Sequence, residues 1–479
     1  MSFFFITFAI SLLSIGLTQI PSLATNKIGF GDIFHYYQKT AVDRLINQGL
    51  AIFAFAFFLH AILQSKAFEA LFASKRKWLE KRKYLAIGLI TIVAACLSSG
   101  LSWFDEFVHF YPLVIPLVMT MGFDAISSVI CLYGGSIAGL MGLVSSERMM
   151  NYFGQCFGDD IKQGVSYNGM TGILFRLFGF LIFVSIVVLF NIWYCSRNKN
   201  KESELKQITQ EEKQPPFNIT RKIILALASF FLIFSIAAQI KKFSGVNKIF
   251  EKTPELLSSK YSETSYQKEG GVGEERKQVA SENVKTKNYW DKFGSWEENT
   301  INCWLIIGAI IICLISSQNI ITTLISAVQN SIPLLLVYIF SAVPAFILGD
   351  SGLSNKLAER LPEGVLASAK YWALIPIFGI SALLTFFVSS PSIVASLILS
   401  LSHALFGVSS SVLIHAAIFS WTGAVLGMSF SPNSGILIAS LERSKITYKQ
   451  FIKKTWILWS MMAATAFGLV IFWTWFNVK

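Results

Sequence analysis

The chain has 479 residues, 53% of them hydrophobic, with 42 Phe and 12 Trp against only 14% charged residues. That composition excludes a soluble globular protein of this length and points to a polytopic membrane protein. The net charge of +12 does not mark a nucleic-acid binder, because the basic residues sit in particular loops and not on one face or tail.

In chain order, apolar runs near the ~20 residues that cross a bilayer as a helix fall at 2–20, 47–64, 123–145, 171–194, 222–239, 302–317, 332–348, 409–429 and 455–476. Two longer apolar stretches, 84–121 and 370–407, are interrupted in the middle and read as hairpins that enter the membrane and turn back. The first run lacks a basic start, so residues 1–20 are expected to stay as an N-terminal transmembrane helix. Segment 195–239 reads as a linker and helix. Segment 240–300, with "KEGGVGEERKQ", mixes both signs and has the composition of a mobile extracytoplasmic insert, and 302–317 is a linking helix.

Loops 65–83, 195–222 and 442–454 hold seven, seven and five Lys/Arg, whereas 21–46, 149–170 and 349–370 hold three, one and three. The positive-inside rule makes the first set cytoplasmic. The amino terminus is then cytoplasmic and the carboxyl terminus extracytoplasmic, in the cytoplasmic membrane of a bacterium. Six cysteines show no CxxC pair and no histidine at ligand spacing, which argues against a disulfide framework or a metal site.

Gly122 in "TMGFDAISSVI" and Gly407 in "ALFGVSSSVLI" precede similar helices, 285 residues apart. The same offset carries span 47–64 onto 332–349, hairpin 84–121 onto 369–406, Gly142 onto Gly427, Ser146 onto Ser431 and span 171–194 onto 456–479. The organisation expected is a first transport repeat over 47–194, with a broken helix at 123–150, and a second over 332–479, with a broken helix at 409–440. Under the assigned topology the two run upside down relative to each other, an arrangement characteristic of secondary transporters.

Non-helical backbone survives at membrane depth only where it is buried in protein or lines a polar cavity. Four interruptions therefore mark the candidate site: "SWFDEFVHF" (102–110) and "FFVSSPSIV" (386–394) at the hairpin tips, "GLVSSERMM" (142–150) and "SFSPNSG" (429–435) in the helices that follow. Small polar side chains complete a ligand shell at such helix ends, and Ser389, Ser390, Ser392, Ser431, Asn433 and Ser434 supply them in the second half, where Pro432 removes a backbone donor. A carboxylate in hydrocarbon costs at least about 2.5–3.5 kcal/mol, so Asp105 and Glu106 need a partner or a purpose: holding a coupling cation, titrating, or meeting the positive end of a substrate. His109 follows one turn later, as a proton relay or a carbonyl partner. Ser146, Glu147 and Arg148 occupy the first half's equivalent of Ser431, Pro432 and Asn433, as a substrate clamp or a solvated helix end. His60, His403 and His415 lie singly on apolar faces and read as packing residues. The GxxxG pairs Gly135–Gly139 and Gly423–Gly427 read as close helix contacts.

With those residues in view, "FDEFVHFYPLVIPLVMTMGFDAISSV" and "SPNSG" followed by "KITYKQFIKK" resemble the YfcC-type carriers of the ion transporter superfamily, over about residues 28–476 without the polar insert. That family is described as basic amino acid antiporters or C4-dicarboxylate anaerobic carriers, built from inverted repeats with paired re-entrant hairpins. The resemblance places its acidic pair on Asp105 and Glu106, its Ser-x-Ser on Ser390 and Ser392, and its late motif on Pro432, Asn433, Ser434 and Gly435. The family's Ser-Thr-x-Asn-Pro has become Ser146-Glu147-Arg148-Met149-Met150, and the second tip carries Pro391, Ile393 and Val394 in place of two glycines and a glutamine.

The reading is an all-α polytopic membrane protein of two inverted repeats, each with a re-entrant hairpin and a broken helix. It acts as a secondary transporter for a small organic ion by alternating access. An amino acid, basic and exchanged, suits the charges; a C4-dicarboxylate carried with a cation is the alternative. A passive pore would need a continuous polar stripe, which spans 171–194, 222–239 and 455–476 lack. The alternative of another class is a non-transporting membrane scaffold or enzyme, to which the altered motif at 146–150 gives weight, although no nucleophile, acid/base or metal constellation for an enzyme stands out. No cofactor is expected beyond Na+ or H+ as the coupling ion. The partners are a small-molecule substrate and the lipid bilayer, with a homodimer allowed and nucleic acid excluded.

Overall fold

The computed structural model of the chain describes residues 2–21, 24–45, 49–101, 103–142, 173–198, 216–239, 259–265, 281–287, 298–353, 356, 370–395, 397–398 and 410–478. Sixteen α-helices are named here: α1 (Ser2–Thr18), α2 (Ile33–Arg44), α3 (Leu50–Gln64), α4 (Ala67–Lys81), α5 (Lys83–Leu101), α6 (Tyr111–Thr120), α7 (Ala125–Val129), α8 (Gly135–Gly142), α9 (Ile173–Arg197), α10 (Ile219–Gln239), α11 (Glu298–Ile315), α12 (Ile320–Asp350), α13 (Leu374–Val388), α14 (Ser410–Ser429), α15 (Gly435–Arg443) and α16 (Tyr448–Val478). The chain is an all-α polytopic membrane protein apart from one antiparallel ribbon in the polar insert, where β1 (Ser259–Ser265) pairs with β2 (Ser281–Lys287). Among the described residues eight helices are long and apolar enough to cross a membrane, or nine if α3 and α4, bent by 61° at residues 65–66, count as one span. Helices dominate because lipid offers backbone N–H and C=O groups no partner, so each segment must satisfy its own.

Several helices run further than the apolar pattern. α12 begins at Ile320, where Asn319 caps it by accepting from the Ile321 and Thr322 amides at 3.0 and 3.2 Å, so the span expected from 332 starts a dozen residues earlier. α2 and α4 form within the loops 21–46 and 65–83. Each buries one face at helical spacing: Ile33, Tyr36 and Thr40 in α2, where Phe34 is 75% exposed, and Ala67, Ala70 and Leu79 in α4.

The first interrupted stretch returns to the end of the bundle from which it starts. At its base the Lys83 ammonium lies 5.0 Å from the centre of the Phe123 ring, and the Tyr84 and Phe123 rings are 5.6 Å apart. Gly122, in the left-handed region at φ 84°, turns the chain out of the hairpin, and the Asp124 side chain caps α7 by accepting from the Ser127 amide at 3.1 Å. α8 then packs parallel to α5, with Gly135 against Thr91 and Gly139 against Ala95, so closely that a Cβ would collide with backbone. The second half repeats the construction. Gly423 and Gly427 of α14 lie against Phe378 and Ala382 of α13 in the same parallel sense. Both GxxxG pairs thus serve close helix contact. Between the halves, Trp421 Nε1 donates to the Leu140 carbonyl at 3.0 Å and the Tyr133 hydroxyl to the Ser429 carbonyl at 3.0 Å, so α8 and α14 run in opposite directions.

Candidate functional site

The second tip and the second broken helix are tied together by the serines and the asparagine that the sequence singled out. α13 ends at Ser389, which takes the left-handed conformation (φ 58°) with its amide donating to the Thr385 carbonyl at 2.8 Å. This leaves the last carbonyls of α13 without helical donors. Ser431 Oγ donates to the Phe386 carbonyl at 2.5 Å, and Asn433 Nδ2 to the Phe387 carbonyl at 3.0 Å. Ser389 Oγ donates to Ser431 Oγ at 3.3 Å, which also accepts from the Asn433 amide at 3.1 Å. Ser434 caps α15 by accepting from the Leu437 amide at 3.5 Å. Ser390 is buried, and Ser392 is exposed on the returning turn. Asn433 is fully buried, and its Oδ1 has no hydrogen-bond partner among the described residues.

The acidic tip is built differently. Trp103 and Phe104 are buried, and a 3-10 turn over Glu106–Phe110 leads into α6. Asp105 and Glu106 are half-buried. Tyr338 of α12 donates its hydroxyl to Asp105 Oδ2 at 3.1 Å, which answers in part the desolvation of that carboxylate. His109 is buried, with Nε2 unpartnered among the described residues, and Arg443 at the end of α15 lies within electrostatic reach of it.

Tyr133 joins the acidic tip to the end of α14. It sits in a π-helical turn, Ile130–Gly134, between α7 and α8, a distortion that recurs at functional sites. Its ring centre lies 6.1 Å from that of Phe104 at the acidic tip. Its hydroxyl reaches the Ser429 carbonyl and, at 3.4 Å, the Met428 carbonyl, where α14 ends. Tyr448 donates to the next carbonyl, that of Phe430, at 2.6 Å. Tyr133 thus touches two of the four interruptions, and the third, at 386–394, is tied to the same break through Ser431 and Asn433. The fourth, with Ser146, Glu147 and Arg148, lies outside the described residues.

Asp124 forms a second polar centre that the sequence reading passed over. Beyond its capping role it accepts from the Tyr194 hydroxyl at 2.6 Å and pairs with Lys454 at 3.3 Å, joining α7, α9 and α16. Tyr133, Tyr338 and Asp124 were missed for the same reason. A lone tyrosine in an apolar run looks like filler, and an aspartate before a helix looks like a cap. The one available signal was the need of every intramembrane polar group for a partner. Among the described residues no group of three or more His, Cys, Asp or Glu side chains is placed to hold a metal ion.

The family model DcuC, C4-dicarboxylate anaerobic carrier, matches residues 13–475. The chain belongs to this family. With eight or nine apolar helices long enough to cross a bilayer among its described residues, it is a multi-pass membrane protein. An uncharacterized protein of Haemophilus influenzae is 29% identical to this DcuC-family chain over 136 residues, 26% of the chain and 25% of that protein. The chain therefore aligns with about a quarter of that relative's length. The crystal structure of the Alcanivorax borkumensis YdaH transporter aligns over 99% of this chain and 98% of its own at 13% identity, with a TM-score of 0.44.

Proposed function

We propose that this DcuC-family protein carries a C4-dicarboxylate or closely related small carboxylate across the cytoplasmic membrane by alternating access, coupled to a cation. The observation that carries the reading is a chain of contacts between helix interruptions: Tyr133 packs on Phe104 of the acidic tip and donates to the Ser429 carbonyl at the end of α14, and Ser431 in that break pairs with Ser389 of the second tip. Opposite directions of α8 and α14 and the repeated glycine packing support two inverted repeats, and the basic loops support a cytoplasmic amino terminus. In this scheme the α15 amino terminus, Ser389, Ser431 and Asn433 serve the substrate carboxylates, Arg148 supplies a countercharge, and Asp105 and Glu106 serve the cation. Such a carrier moves its substrate without making or breaking a covalent bond.

A second reading, exchange of an amino acid, is favoured by the acidic pair itself, since Asp105 and Glu106 suit an ammonium group. Purified protein in liposomes decides between them: exchange of labelled succinate, fumarate, arginine, ornithine and neutral amino acids is measured with and without ion gradients. Dicarboxylate uptake that collapses without the gradient supports the first reading, and arginine or ornithine exchange alone replaces it with the second. Transport of none of them removes both.

A further inference from the structure

Helix α2 belongs to neither repeat, yet it reaches the acidic tip. Arg44, its last residue, is half-buried and places its guanidinium 5.0 Å from the centre of the Tyr338 ring and 5.7 Å from that of Phe346. The hydroxyl at the far edge of the same Tyr338 ring is the donor to Asp105 at 3.1 Å. One rigid aromatic side chain is therefore gripped by a cation on its face and by a carboxylate at its edge. Cations favour the negative face of an aromatic ring, the more so when partly desolvated, and this contact holds the ring in one orientation.

The helix carrying Arg44 is itself fixed along α12. Lys39 pairs with Asp350, the Tyr37 and Phe340 rings are 4.9 Å apart, and Ile33 and Tyr36 share a small core with Val343 and Ile347. The Asn26 side chain donates to the Asp350 carbonyl at 3.1 Å, and the Thr25 amide to that of Ser351 at 3.0 Å. The segment from α1 to α2 is thus a brace whose last side chain bears on Tyr338, the hydroxyl donor to Asp105.

We propose that Arg44 and Tyr338 are positioning residues of the transport site: Arg44 holds the Tyr338 ring, and the Tyr338 hydroxyl fixes the direction in which Asp105 presents its carboxylate. The charge of the acidic tip is then aimed from outside the repeats. The proposal rests on the reading that Asp105 belongs to the transport site.

The test uses the full chain in liposomes, with labelled succinate and labelled arginine as the two probes, and reads KM and maximal rate separately. Arg44→Gln and Tyr338→Phe each raise KM about fivefold or more, within the usual range of coupling between sites. Arg44→Lys, which keeps a cation over the ring, restores most of the loss. In an Asp105→Asn background Arg44→Gln adds less than about twofold, because residues in one network are not additive. Elution of each variant from size exclusion establishes that it is folded, and if Arg44→Gln aggregates, the near-isosteric Tyr338→Phe with Asp105→Asn gives the same cycle. An impaired Asp105→Asn combined with a fully additive or silent Arg44→Gln overturns the positioning role alone. Unchanged transport in Asp105→Asn, or exchange of neither probe by the unmodified chain, removes the parent reading and the positioning role with it.

Discussion

The Tyr133 hydroxyl donates to the Ser429 carbonyl at 3.0 Å, so a residue of the first half satisfies the backbone at which a helix of the second half stops. Tyr133→Phe removes the donor and leaves two buried carbonyls, those of Met428 and Ser429, unanswered by it. Helix–helix hydrogen bonds in membranes contribute about 0.6 kcal/mol on average and up to about 2. A drop of a few degrees in unfolding temperature is expected, together with a larger loss of transport. Equal transport in Tyr133→Phe and the unmodified chain would separate this bond from the carrier cycle.

The packing of α8 on α5 and of α14 on α13 predicts paired effects in the two halves. Gly139→Val and Gly427→Val place side-chain atoms on the backbone at Ala95 and Ala382, and overpacking of this kind destabilises by about 1–3 kcal/mol. Gly16→Val in α1, where a Cβ meets nothing within 4 Å, is the control and should be silent. Thermal unfolding in detergent followed by size exclusion checks the order. A silent Gly427→Val would contradict the close approach.

Asp124 and Lys454 predict an asymmetry. Their side chains are 24% and 37% exposed, so Lys454→Ala should cost under about 1 kcal/mol. Asp124→Ala loses the α7 cap, the Tyr194 hydrogen bond and the ion pair together, and should cost about 1–2 kcal/mol or more. Stability of the two variants and of the double variant shows whether the pair matters only through the aspartate.

The proposed orientation is tested by surface labelling in a chain whose own cysteines are replaced. Ser74→Cys, on the exposed side of α4, should react with an impermeant maleimide only from the cytoplasmic side. Lys27→Cys, in the exposed turn before α2, should react only from outside. Labelling of both from one side would invert or break the assigned topology.

Much of the architecture could be read from residues because the membrane imposes a simple rule on length and polarity. The 285-residue offset aligns 125–142 with 410–427, and helices occupy both places, with the glycines of each pressed on the preceding hairpin arm. Ser389, Ser431 and Asn433 could be marked as polar residues at two breaks, but their pairing with each other and with the end of α13 is seen only in the structure. What escaped notice leaves little mark on composition. The π-helical turn at Tyr133 shifts the register by one residue without changing the apolar pattern. α2 and α4 are charged enough to pass for loops, although their buried faces follow helical spacing. Thr, Gln and Asn over 318–330 hid the beginning of α12, and Tyr338 became legible only once Asp105 was seen beside it.

The carbonyls from Met428 to Phe430, and those of Phe386 and Phe387, are all held by side chains, belonging to Tyr133, Tyr448, Ser431 and Asn433. A helical ladder melts cooperatively, whereas clasps of this kind release in small groups: Tyr133 holds two carbonyls with one hydroxyl, and Tyr448, Ser431 and Asn433 hold one each. In the proposed cycle an ion or carboxylate arriving there need displace only one such group at a time, and the freed hydroxyl remains at hand as a ligand. Local opening at this junction should accordingly be graded and reversible, in an interior where unwinding of backbone would leave buried polar groups without partners.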